Sequence, residues 1–134
     1  DIIIIHFDAH ADLRDIYLGE KLSHATVFRR ISEDIKSKHI YQFGIRSGTK
    51  DEFLFAKRHT HMNLFEVKTP FLKALPVFKN HPIYITLDID VVDPAFAPGT
   101  GTPEPGGCSA KEILEVVSFF KELNLSYLAT FVKI

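Results

Sequence analysis

The stretch Ile2-Ile3-Ile4-Ile5-His6-Phe7-Asp8-Ala9-His10-Ala11-Asp12 decides how the rest of this chain is read. Its first six residues are almost continuously apolar and β-branched, as in strands covered on both sheet faces, and such strands belong to parallel sheets flanked by helices. Further strand candidates lie at 40–45, 63–67, 83–89 and 126–132. Between them, Val27, Phe28, Ile31 and Ile35 share a helical face after Ser23-His24. Thr49 with Glu52, and Ser109 with Glu112, have capping-box spacing, and the second pair opens a helix expected over 110–123. Pro76 is expected to confine the 71–75 segment to about a turn and a half. The alternation predicts an α/β fold with a parallel, doubly wound sheet in three α/β/α layers, ligands binding beyond the carboxyl ends of the strands.

Composition narrows the function. The 134 residues carry 16 Lys+Arg against 17 Asp+Glu, a net charge of −1, and are 46% hydrophobic. That supports a packed core and supplies no field for nucleic acid or an anionic membrane surface. Basic residues are scattered and form no stripe, Arg29-Arg30 being one adjacent pair. The longest apolar run, Ile2 to Ile5, is too short to cross a bilayer, and the lone Cys108 fits a reducing, cytoplasmic setting. The chain opens without Met, and both ends read as strands. It is therefore expected to be one partial domain, 1–134, incomplete at both ends.

The chemistry gathers in two acidic motifs. Residues two apart on a strand point the same way, so Asp8 projects with His10, and Asp88 with Asp90 in Leu87-Asp88-Ile89-Asp90-Val91-Val92-Asp93-Pro94. If the two strands are neighbours, these acids and Asp12 meet at one mouth of the sheet. Four converging carboxylates repel one another unless cations neutralise them. Two divalent ions would do so, and carboxylates with one imidazole suit Mn²⁺, zinc remaining possible. Paired ions can share a hydroxide directed at an electrophilic carbon or phosphorus. The competing reading is a set of caps and surface acids. Asp93, before Pro94, is expected to brace its own turn. The Gly- and Pro-rich stretch 91–107 follows a strand end, where long ordered loops are commonly functional.

The motifs resemble the ureohydrolase superfamily of arginases and agmatinases, most closely its agmatinase branch. The resemblance runs through His6-Phe7-Asp8-Ala9-His10-Ala11-Asp12, Ser23-His24-Ala25-Thr26-Val27-Phe28-Arg29-Arg30, Gly44-Ile45-Arg46-Ser47 and the run from Leu87 through Gly99-Thr100-Gly101-Thr102-Pro103-Glu104-Pro105-Gly106-Gly107. It implies an arginase-like fold in which Asp8 and Asp88 bridge two Mn²⁺ ions, Asp12 completes one site, and His10 with Asp90 the other. It implies that His24 shuttles protons while Thr100, Gly101 and Thr102 let backbone approach the substrate. Glu104 would steady the loop or meet a cationic substrate tail. The implied reaction converts a small guanidino substrate, agmatine foremost, to urea and an amine, in a protein that forms trimers or hexamers.

Two departures are visible. The family draws one more metal-binding histidine from a segment upstream of the first motif, absent here, and Lys133 stands where a later strand carries a glutamate. They motivate a non-catalytic relative as the alternative. A metallophosphoesterase is a second alternative, although neither G-D-x-x-D nor G-N-H follows. Outside the site, Phe7 is expected in the core and His6 in a supporting or packing role. His39, His59, His61 and His81 are expected in solvent, and Cys108 as a small apolar filler.

Overall fold

The computed structural model describes residues 1–131. Its strands are β1 (Ile3–Phe7), β2 (Ile40–Ile45), β3 (His61–Leu64), β4 (Ile83–Asp88) and β5 (Leu125–Phe131), all parallel and ordered β3-β2-β1-β4-β5. Register sets Phe7 against Phe43 on one side and Leu87 on the other, so β1 is central. The chain moves outward from β1 to β3 and then crosses back to β4. The order thus reverses between β1 and β4, where a crevice opens beyond the carboxyl ends.

Helices α1 (Val27–Asp34) and α2 (Lys50–His59) cover one sheet face, α3 (Lys68–Phe78) and α4 (Ala110–Ser118) the other. Alternation along β1 distributes the core between them. Ile3, Ile5 and Phe7 pack with Phe71, Phe78 and Val116, while Ile4 packs with Phe28 and Ala56. Phe7 lies 5.4 Å from Phe43 and 5.8 Å from Phe71 between ring centroids, within the range where aromatic pairs attract.

Several boundaries differ from those the sequence suggests. β3 begins and ends earlier, because Phe65 adopts φ +61° and Val67 already caps α3. α3 runs from Lys68 straight through Pro76. Burial of Phe71, Leu75 and Phe78 outweighs a proline cost of about 3 kcal/mol. α4 stops at Ser118 and tightens into a 3-10 turn over Phe119–Glu122. The Thr49–Glu52 capping box forms in full. At Ser109 only half of one does: its hydroxyl accepts from the Glu112 amide, but Glu112 Oε1 accepts from Lys68 N–H at 3.0 Å and so caps α3 instead. His39 and His59 are half-buried, His59 stacked on Phe55, and His61 stacks on Tyr41. Lys133 lies outside the described residues.

Two outcomes follow from this packing. Glu112→Ala uncaps α3 and is expected to destabilise the chain by about 1–2 kcal/mol in urea unfolding, whereas Glu112→Gln retains an acceptor and most of the stability. Equal losses in both would refute the cap. Cys108 is buried, and burial pushes its thiol from 9.0 up to about 11. Between those values the unfolded thiol ionises while the folded one keeps its proton, so this group lowers stability as pH rises through that window. At pH 8 the native thiol should react with a disulfide reagent at least ~100-fold more slowly than the unfolded chain.

Candidate metal centre

Past Phe7, the chain leaves the sheet and runs beside the tail of β2. Arg46 and Ser47 N–H groups donate to Ala9 O at 2.8 and 2.9 Å, and Ala11 N–H donates to Ser47 O at 3.0 Å. These bonds hold Asp8 and His10 rigidly. At Asp12 the backbone turns left-handed, φ +52°, a conformation that aspartate tolerates better than most residues. Buried Glu52 then fastens the turn: Oε1 accepts from Leu13 N–H at 2.9 Å while Oε2 accepts from Thr49 N–H at 2.7 Å. One carboxylate thus serves both the start of α2 and the loop behind Asp12.

The second motif is arranged differently from a strand alternation. β4 ends at Asp88, and Ile89–Val91 form a 3-10 turn that Asp88 caps by accepting from Asp90 N–H at 3.1 Å. Asp90 therefore reaches the site through a turn. Its Oδ1 accepts from Ala9 N–H at 3.1 Å, joining the two motifs directly.

The side chains converge as the spacing suggests. Asp8, His10 and Asp90 present ligand atoms within 4.8 Å of one another, and so do His6, Asp8 and Asp12. Asp8 belongs to both groups. Asp88 lines a cavity of 190 Å³ together with Asp8, Asp12 and His24. Asp8, Asp88 and Asp90 are 3% exposed or less. Burial alone would raise the Asp8 carboxyl, but hydrogen bonds from His10 and His6 hold it well below the usual carboxylate range. The His10 imidazole is pushed up to about 10 by hydrogen bonding to Asp8 and then by Asp90, against the effect of burial.

One atom bears on whether a cation fits. Asp90 Oδ2 is buried and lacks a hydrogen-bond donor; His10 Nδ1 lies 3.1 Å away as an ionic contact without hydrogen-bond alignment. A buried carboxylate oxygen in that state is costly. Together with a donor set of carboxylate oxygens and one imidazole, it suits a hard or borderline divalent ion such as Mn²⁺.

The loop over 92–107 is pinned at its base. Asp93 braces the turn as expected: N–H groups of Ala95, Gly106 and Gly107 hold its carboxyl below the usual range against slight burial. Arg46 spans the interior, donating to Asp90 O at 2.6 Å and Glu104 O at 2.8 Å. Gly107 permits this contact, since a Cβ there would meet Asp93 N at 2.5 Å and Arg46 Nη2 at 2.7 Å. Glu104 Oε1 lies 3.5 Å from His10 Nε2, turned to the acidic cluster as well as held by the loop.

Thr100 and Gly101 do not line the described cavities; Thr102 does, in a 400 Å³ cleft with His10, Asp12 and His24. Within the long loop, the glycine with the left-handed backbone is Gly106, φ +90°, rather than Gly101. His24 opens a 3-10 turn capped by Ser23 and faces both cavities, with Tyr17 edge-on at 5.1 Å. Tyr17 and Gln42 are missed by sequence reasoning, while Glu52 is met there only as a helix cap and Arg46 only within a family motif. Tyr17 leaves a local signal: Leu18-Gly19 form a tight turn, φ +49° and +83°, that pairs Tyr17 with Glu20.

The pattern of the Arginase family matches residues 1–129. An agmatinase from Halalkalibacterium halodurans is 53% identical over 118 residues, 87% of this chain and 41% of that protein. The agmatine ureohydrolase structure of Thermoplasma volcanium superposes with TM-score 0.84 at 29% identity, covering 99% of this chain and 47% of that one. The formimidoylglutamase structure of Bacillus subtilis gives 0.86 at 29% identity, covering 98% and 45%. The chain thus spans about two-fifths of the length of the curated relative it matches. With its sheet order, its acidic motifs and nearly its whole length matched, the chain belongs to the arginase family.

Proposed function

We propose that this chain carries the metal-binding core of an agmatinase-like amidinohydrolase, converting a guanidino compound to urea and an amine. The observation that carries the reading is Asp8, whose carboxylate lies within 4.8 Å of ligand atoms of His10 and Asp90 on one side and of Asp12 on the other, beside the donorless buried oxygen of Asp90. Two Mn²⁺ ions would be held by Asp8 and Asp88 in common, by Asp12 on one side and by His10 with Asp90 on the other. When bound, such a pair supplies water of lowered pKa and positive charge where negative charge develops.

The remaining chemistry falls to protein groups. A guanidinium is delocalised and remains protonated, and the departing amine must collect a proton before it leaves. His24 faces the cavity of Asp8 and the adjoining cleft alike, which suits a group carrying protons between them. Tyr17 packs against its ring and limits its orientation. Agmatine is the substrate favoured by the relatives near half identity. Relatives named for other amidino substrates share the fold, so selectivity belongs to the surrounding loops. Trimeric or hexameric assembly is proposed on the family resemblance. The phosphoesterase alternative finds no support in the family match.

In Mn²⁺ titrations, Asp8→Asn is expected to weaken binding by at least ~100-fold, since it removes a shared ligand. His24→Ala should leave Mn²⁺ binding within about threefold but slow urea release from agmatine by about 10²–10⁴. The assay uses the Mn²⁺-loaded protein with arginine, guanidinobutyrate and formiminoglutamate as comparators. No urea or formamide from any of the four would sink the enzymatic reading and favour a non-catalytic relative.

A further inference from the structure

Behind the acids lies a buried polar chain that the reading above does not use. Thr60 Oγ1 donates to Gln42 Oε1 at 3.0 Å, Gln42 Nε2 donates to Ala11 O at 2.9 Å and lies 3.1 Å from His6 Nδ1, and His6 Nε2 lies 3.0 Å from Asp8 Oδ2. Thr60, Gln42, His6 and Asp8 are each 3% exposed or less, and His6 is stacked on Phe28 at 3.7 Å between centroids.

One acceptor fixes the direction of the Gln42 and His6 hydrogens in this chain. The Ala11 carbonyl can only accept, so the Gln42 NH₂ group must face it; a flipped amide would set two oxygens against each other. The same NH₂ group then directs its second hydrogen at His6 Nδ1. That nitrogen must accept, so the ring hydrogen sits on Nε2 and is donated to Asp8 Oδ2. The other oxygen, Asp8 Oδ1, accepts from His10 N–H at 2.6 Å. Both oxygens of Asp8 are thereby oriented by fixed donors.

We propose that His6 is a positioning residue, not a metal ligand: with its tautomer set by the Thr60–Gln42 relay, it holds Asp8 in the orientation that two cations share. This rests on the metal-centre reading above. His6 does fall in one of the ligand-atom groups. Ligation through Nε2, however, would need the lone pair there and the hydrogen on Nδ1, facing the Gln42 NH₂ donor. Ligation through Nδ1 is blocked by Gln42 itself. Partners of this kind, set behind a ligand, typically change metal affinity by about 10–100-fold when removed.

The test has two independent arms. Long-range ¹H–¹⁵N imidazole correlations on the metal-free chain should show His6 with hydrogen on Nε2 and a bare Nδ1, and Gln42→Met should abolish that preference. Titration with Mn²⁺ alone, following free Mn²⁺ by electron paramagnetic resonance, should show His6→Gln within about threefold of the unsubstituted chain, because a glutamine NH₂ still donates. His6→Phe, which keeps the ring stack but donates nothing, and Gln42→Met should each bind about 10-fold more weakly or worse. Amide spectra confirm that each variant is folded, and the tautomer of the unsubstituted chain decides the matter if one is not. Hydrogen on Nδ1 in the unsubstituted chain, or equal loss in His6→Gln and His6→Phe, overturns the positioning role while leaving the metal centre intact. Failure of the unsubstituted chain to take up Mn²⁺ overturns the metal-centre reading and this proposal with it.

Discussion

The bond from Ala9 N–H to Asp90 Oδ1 joins the ends of β1 and β4, and the site's architecture depends on what that junction forces together. Buried carboxylates from two motifs 80 residues apart in sequence meet where the sheet order reverses. Each would lose several kcal/mol of hydration if left uncompensated. The fold answers with directed N–H groups from Ala9, His10 and Asp90, and with the His10 imidazole held between Asp8 and Asp90. Asp90 Oδ2 accepts no aligned hydrogen bond, and the nearest positive group is the His10 ring 3.1 Å away.

Rigidity around the junction comes from residues outside the acidic cluster. Arg46 ties the Asp90 and Glu104 carbonyls, Glu52 ties the loop behind Asp12 to α2, and Asp93 gathers three backbone amides at the base of the long loop. Each is charged and sits against groups of opposite polarity, where charge-assisted hydrogen bonds are strongest. The pattern is that of a site preorganised on strand ends, with its supports drawn from the flanking elements.

Much of this was legible in the residues. Near-continuous apolar runs marked covered parallel strands, and Asp8, His10, Asp12, Asp88 and Asp90 were recognisable as a converging set. What misled was locality. Alternation placed Asp90 on a strand, although a 3-10 turn delivers it; a capping-box spacing at Ser109 concealed that Glu112 serves another helix; Pro76 looked like a stop, although core burial carries α3 past it.

By itself, the sequence determined the strand and helix periods, the two acidic motifs and their family, because these depend on side chains within a few residues of one another. Only the tertiary structure decided which carboxylate oxygen lacks a donor, that Glu52 and Arg46 buttress the site, and that the Gln42 amide faces His6 Nδ1. The reason is distance along the chain. Leu13 meets Glu52 across 39 residues, His6 meets Gln42 across 36, and Arg46 meets Glu104 across 58, and no local pattern encodes such pairings until the sheet brings them into contact.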